Sequence, residues 1–270
     1  MARRRESAGQ ARAPLNRSSD LLTHPLHLLR ARLADDFTAD LPKGVEPVAH
    51  WCRDPQFFPG ATGLLTNSSW ADVVPGGHGF SDHPPPARQR GVVVLGNYQA
   101  TAASYQRILD GSIGGFAKTW SVLGQLLVAV DPRDVFLTNA YIGVPDLAKD
   151  TAPFPTTPSF IGRCQRLLVL EIELFNPRLI VCLGVAAAKM LASITDDLEA
   201  WRPWPGYTAL RSSGGQTVAN CRLDDVEFAA VAVRHPSAVI SNTQRQADTA
   251  LVTAAASAPR PLEDAAPSSC

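Results

Sequence analysis

Four times between Gly91 and Val233 a short apolar run gives way to a stretch with helical spacing. The runs are VVVL (Val92 to Leu95), VFLTN (Val135 to Asn139), RLIVCL (Arg178 to Leu183) and FAAVAV (Phe228 to Val233). The first carries three β-branched residues in a row. Unbroken apolar runs of this length suit strands covered on both faces, the condition of a parallel sheet. Strand and helix in strict alternation imply helices packed on both sides of that sheet, joined by right-handed crossovers. The fold class is therefore α/β, a three-layer α/β/α sandwich around a four-stranded, mainly parallel sheet. In such sheets a ligand sits beyond the carboxyl ends of the strands. Those ends are where chemistry should be sought. After the first strand comes Gly96, which lets a backbone turn or a ligand come close. Polar Asn97, Tyr98 and Gln99 follow.

Composition narrows the class further. The chain has 270 residues with 45% hydrophobic content, enough to bury a sizeable core. Lys plus Arg and Asp plus Glu both number 25, so there is no general basic coat for nucleic acid. A local basic patch is still compatible with zero net charge. The five cysteines, Cys52, Cys164, Cys182, Cys221 and Cys270, are scattered and form no CxxC pair. That argues against a disulfide framework or a zinc site and fits a cytoplasmic protein. No apolar run is long enough to span a bilayer, so no membrane partner is expected.

Residues 1–20 are polar, Arg-rich and aperiodic and read as a disordered arm. LLTHPLHLLRARLADDF (Leu21 to Phe37) is partly helical, with Leu26, Leu29 and Leu33 on one stripe. Residues 40–90 are loop-rich, with Trp51, Phe57, Phe58 and Trp70 as anchors; residues 21–90 thus form an extension packed on the core. His78, Asp82 and His83 fall there at a spacing that fits no standard metal site. The core domain spans 91–257. Phe116 to Val130 reads as a helix stopped by Asp131-Pro132, with Trp120, Leu123, Leu126 and Leu127 inward. Ser159 looks like the cap of a helix that packs Phe160, Cys164, Leu167, Leu168, Ile172 and Phe175 and closes at Asn176-Pro177. A short helix follows Gly184. The last helix reads from Ser237 to about Ala256, and residues 258–270 read as a disordered tail.

Four motifs fall at the four strand ends: LGNYQAT, LTNAYIG, the long CQRLLVLEIELFNPRLIVCLGVAAAKML, and VRHPSAV. In this order they resemble the uracil-DNA glycosylase superfamily, from about Gly91 to Ala250. The third resembles the branch that often carries an iron–sulfur cluster. The resemblance implies that His235 hydrogen-bonds the uracil O2 as the base departs with negative charge. It implies that Asn139 reads the edge of a flipped base, since an amide offers an acceptor and two donors. Phe116 would stack on that base. Ser237 would contact a phosphate, and Ile240 or Val239 would fill the gap left by the extruded nucleotide. Arg234, Arg245, Arg163 and Arg166 are candidates for a local basic patch.

The first motif departs from the family. Direct alignment puts Tyr98 where a water-activating Asp or Asn stands, and tyrosine is a poor base at neutral pH. Asn97 or Gln99 would hold the water instead, with Gly96 giving the base room. Ala100 falls where many members have a bulky Tyr. Gly143 stands where cluster-bearing relatives have Cys. Cys164 matches one ligand position, but a single thiolate holds no cluster. The expectation is a monomeric DNA glycosylase without metal or organic cofactor, acting on uracil or a related deaminated base in single- or double-stranded DNA. A homologue that binds nucleic acid or nucleotides without cleavage is the alternative, and a hydrolase of free nucleosides is a third.

Overall fold

The computed structural model of the chain describes residues 36–47, 91–98, 101–109, 114–147 and 153–258, together with Leu29, Arg32 and the pair Gly63–Leu64. Its strands are β1 (Val45–Glu46), β2 (Gly63–Leu64), β3 (Val92–Tyr98), β4 (Val135–Tyr141), β5 (Val144–Pro145), β6 (Leu179–Leu183), β7 (Thr217–Leu223) and β8 (Val226–Val233). Its helices are α1 (Ala102–Leu109), α2 (Gly114–Leu126), α3 (Pro158–Phe175), α4 (Val185–Ala192), α5 (Tyr207–Ser212) and α6 (Asn242–Ser257). Short 3₁₀ turns cover Pro132–Asp134 and Asp196–Trp201.

The main sheet has the order β2-β4-β3-β6-β8-β7. Strands β4, β3, β6 and β8 are parallel neighbours, and they are the four apolar runs of the sequence. The expected count of four is corrected to six, because β2 and β7 add antiparallel edges. β7 escaped the hydrophobic pattern because it is an edge. A register shift between Val218 and Cys221 breaks its alternation, and Ala219 and Asn220 are exposed there.

Helices cover both faces, which is the three-layer sandwich. On one face Val93, Leu95, Phe136, Ile180, Cys182 and Ala232 pack with α3 and α4 residues such as Phe160, Leu168, Ile172 and Leu191. On the other, Val92, Val94, Leu137, Val181 and Val233 pack with Trp120, Leu123 and Leu127 from α2 and its final turn and with Val252 of α6. Alternate residues of each central strand therefore feed two cores, as a doubly covered sheet requires.

Helix ends differ in detail from the sequence reading. Thr157, not Ser159, caps α3: its hydroxyl accepts from the Phe160 N–H at 3.3 Å, and Pro158 takes the first helical position. Asn176 ends that helix in the left-handed conformation, φ 41°. α2 ends at Leu126, before Val130. α6 begins at Asn242 with a capping box between Ser241 and Gln244, so Ser237 does not start a helix.

The N-terminal segment is fastened to the core. Leu29, Arg32 and Asp36 are helical, and Leu29 and Phe37 are buried. Phe37 meets Phe160 edge-on at 6.2 Å. β1 pairs with β5, and Arg163 of α3 donates to the carbonyls of Ala39 and Asp40 at 3.0 and 2.6 Å. Residues 1–20, Leu26, Leu33, Trp51, Phe57, Phe58, Trp70, His78, Asp82, His83 and the chain after 258 lie outside the described residues. Among the described residues no helix is long and apolar enough to cross a membrane.

Candidate active site

Parallel pairing puts the carboxyl ends of β4, β3, β6 and β8 on one rim. Asn139 lies near the end of β4, Gly96, Asn97 and Tyr98 end β3, Gly184 follows β6, and His235 follows β8. Three strand spacings separate β4 from β8, roughly 14 Å.

Gly96 is opposite Asn139 in the β3–β4 register. A Cβ on Gly96 would overlap Asn139 Oδ1, so the glycine exists to let that amide lie across β3. Asn139 is 7% exposed. The adjacent Thr138 faces the opposite layer and donates its hydroxyl to Glu171 Oε1 of α3 at 2.9 Å. Glu171 is 1% exposed, and burial pushes its carboxyl up to about 8.

Asn97 brings an unsatisfied atom to the rim: its Oδ1 is buried with no partner among the described residues. A buried carbonyl left that way costs roughly 1–3 kcal/mol. Such a group calls for a water or a ligand to complete it. Tyr98 goes elsewhere. Its ring packs on Phe154 at 5.5 Å, joining a column in which Tyr141, Phe154 and Phe160 stack at 5.1 and 5.7 Å on the α3 side.

His235 is set by its own turn. The His235 carbonyl accepts from the Ala238 N–H at 2.9 Å, closing a β-turn over buried Pro236. Within that turn the Ser237 N–H donates to His235 Nδ1 at 3.2 Å, and Ser237 Oγ lies 2.7 Å from the same nitrogen. An Nδ1 that accepts a backbone N–H cannot carry the proton of a neutral ring. The proton is therefore on Nε2, which becomes a donor. Burial lowers the imidazole below its ordinary 6.5, which favours the neutral form at pH 7. Ser237, expected at a helix start with amides turned to a phosphate, instead spends its backbone N–H on the imidazole. Gly184 stands beside this turn at φ 97°, and its N–H donates to the Val233 carbonyl at 2.8 Å.

The remaining sequence candidates separate. Phe116 falls in the first turn of α2, and its side chain lies outside the described residues, as do Gln99 and Ala100. Beyond the turn Val239 is 99% exposed whereas Ile240 is half-buried, so of the two Val239 is the projecting apolar residue. Arg234 and Arg163 are not part of an open basic patch. Arg234 Nη1 pairs with Asp248 Oδ1 at 2.9 Å and its guanidinium lies over the Tyr207 ring at 4.8 Å, while Arg163 holds the N-terminal segment. Arg166 is exposed and Arg245 half-buried.

Sequence reading missed Asp248, Tyr207, Gln216 and Glu171. Glu171 had a signal: it sits four residues after Leu167 and four before Phe175, on the apolar stripe of α3. Asp248 had none, being one polar letter in the mixed stretch NTQRQADTALV.

The described residues do not fit an iron–sulfur cluster. The described cysteines, Cys164, Cys182 and Cys221, are buried. Burial pushes the Cys164 and Cys221 thiols up to about 12, whereas a cluster needs thiolates. At Gly143 a Cβ would come within 2.5 Å of Val45 Cγ1, so β1 occupies the room a cysteine would need. Among the described residues no three His, Cys, Asp or Glu gather as metal ligands.

A family model described as the uracil DNA glycosylase superfamily matches residues 77–257. No curated protein matches the chain.

Proposed function

Because the chain belongs to the uracil-DNA glycosylase superfamily, we propose that it is a DNA glycosylase that takes a uracil or related deaminated base out of the stack and hydrolyses its N-glycosidic bond. Members of the superfamily act on DNA, which supports DNA as the partner. The observation that carries the reading is the His235 ring. A neutral imidazole with its proton on Nε2 stands at the strand-end rim that also bears Asn139 and Asn97.

The chemistry follows from charge. As the bond from the sugar C1′ to the base nitrogen breaks, its electron pair goes to the base and negative charge gathers on O2. The Nε2–H of His235 donates to that oxygen and needs no proton transfer to do so. Asn139 offers its amide to the polar edge of the base. The Asn97 carbonyl orients a water toward C1′, and the new C–O bond completes the hydrolysis. The proton lost by the water leaves with solvent or the base anion. An amide orients water without removing its proton, so the step depends on the leaving base departing first. Phe116 is proposed to stack on the base, with Gly96 leaving it room and Gln99 beside the water. Val239, with Ile240 behind it, is proposed to enter the duplex where the nucleotide has left.

The test is alkaline strand cleavage of uracil-containing single- and double-stranded oligonucleotides after incubation with the protein. Wild type should yield product, and His235→Ala should slow single-turnover excision by about 10²- to 10³-fold, the usual effect of removing one donor to a developing oxyanion. Binding without product would replace this reading with the non-catalytic one. That alternative has its own support: Tyr98 stands at the aligned water position, and its ring is engaged with Phe154. Release of base from free nucleoside alone would point to the third class.

A further inference from the structure

The backbone just ahead of His235 is gripped by side chains from outside its strand. Gln216 Nε2 donates to the Ala232 carbonyl at 2.8 Å. The Tyr207 hydroxyl of α5 donates to the Val233 carbonyl at 2.8 Å, and burial keeps that phenol protonated by raising it above its ordinary value. Asp248 of α6 accepts from the Arg234 backbone N–H at 3.2 Å and from the Arg234 guanidinium at 2.9 Å. The same carboxylate accepts from Arg211 Nη2 at 2.9 Å and from Gln216 Nε2 at 3.4 Å. Arg211 Nε in turn donates to Gln216 Oε1 at 3.2 Å.

Asp248 is 3% exposed. A buried carboxylate with two guanidiniums is a costly way to fill space, and an apolar residue of similar size does that at least as well. What the charged group adds is direction. It fixes both the peptide N–H and the side chain of the residue immediately before His235, and a satisfied buried network is rigid. We infer that Asp248 is a positioning residue for His235: by holding Arg234 at these two points it sets the direction in which the imidazole leaves β8, and so the fit of the ring to the Ser237 amide. This rests on the assignment of His235 to the departing base. It adds a residue on a distant helix that touches neither base nor water.

The experiment uses the full chain in two arms. In the first, ¹⁵N-labelled histidine spectra without DNA report the His235 tautomer. Wild type should show the single Nε2–H form, and Asp248→Asn should show both tautomers in a protein that still melts cooperatively. In the second, single-turnover excision of uracil should slow by about 10- to 100-fold in Asp248→Asn, as for a displaced catalytic group. DNA affinity should stay within about threefold, since the loss is confined to the chemical step. In a His235→Ala background the same substitution should slow excision no further, because its effect passes through the ring. A cooperatively melting Asp248→Asn that keeps one tautomer, or that slows both backgrounds equally, overturns the inference. If Asp248→Asn does not fold, Asp248→Glu keeps the charge, moves the carboxylate by one methylene and is read the same way. Absence of excision in wild type would sink the glycosylase reading, while the tautomer arm would still decide the role of Asp248.

Discussion

Glu171 should contribute a stability that declines as pH rises, and Glu171→Gln should remove that contribution. The carboxyl sits in the core between α3 and the sheet, 1% exposed, and accepts a hydrogen bond from the Thr138 hydroxyl. Burial disfavours its charged form and moves it from 4.5 to about 8. Across that window the native chain keeps a proton that the unfolded chain has released. The unfolded state therefore binds fewer protons, and stability declines with pH. The contribution is intact below pH 4.5 and lost once the pH passes about 8. Each pH unit in between weakens the fold by about 1.4 kcal/mol, and the whole window removes about 5 kcal/mol. That is a large part of the roughly 5–15 kcal/mol that holds a typical domain. Glutamine has nearly the same shape, can accept the Thr138 hydroxyl and has no proton to lose. Placing its NH₂ group adds an offset that does not vary with pH. Urea unfolding followed by tryptophan fluorescence from pH 5 to 7.5 should show the variant gaining on wild type by about 3 kcal/mol. Parallel stability curves, or a gap that closes as pH rises, would refute the argument.

Three other substitutions test the rim and its supports. Gly96→Ala puts a methyl group into Asn139 Oδ1. Because β3 is paired with β4 at Gly96 itself and with β6 up to Leu95, the amide is the group that must rotate away, and single-turnover excision should fall by about 100-fold. Gly143→Ala meets Val45 Cγ1 at 2.5 Å and should cost about 1–3 kcal/mol in urea unfolding with little change in excision rate once folded. Val239→Ala shortens the exposed apolar tip. It should reduce excision from duplex DNA by about tenfold while leaving single-stranded substrate nearly untouched, since only a duplex has a gap to fill.

The four central strands were legible because a strand buried on both faces leaves an apolar run that little else produces. Val92 to Leu95 and Leu179 to Leu183 needed no context to be recognised. β7 was not legible: its outer edge is solvated, its bulge breaks the period, and its residues look like any polar loop. The inward face of α3 could be read from spacing, including the place where Glu171 interrupts it. Its cap could not, since Thr157 and Ser159 are equally good on composition and only Pro158 decides between them. At the rim, Asn139 and His235 were visible as polar residues at strand ends. The sequence reads Ser237 as the start of a helix, but Pro236 and the turn it supports delay α6 by five residues and bring the serine N–H to the histidine. The grip on Arg234 comes from residues 207, 211, 216 and 248, which converge only through the packing of α5 and α6 against the end of the sheet. No spacing in the chain encodes that.

The stretch matched by the family model is smaller than the unit that folds. Phe37, Leu29 and Val45 belong to the same continuous core as Phe154, Phe160 and the central strands. A protein trimmed to begin at residue 77 would lose the strand that pairs with β5 and strip the cover from one end of the aromatic column on which Tyr98 rests. Such a truncate should aggregate or melt early although every motif residue is retained. For homologues cut by motif alone, loss of activity would then report a missing wall of the core and say nothing about the chemistry of the rim.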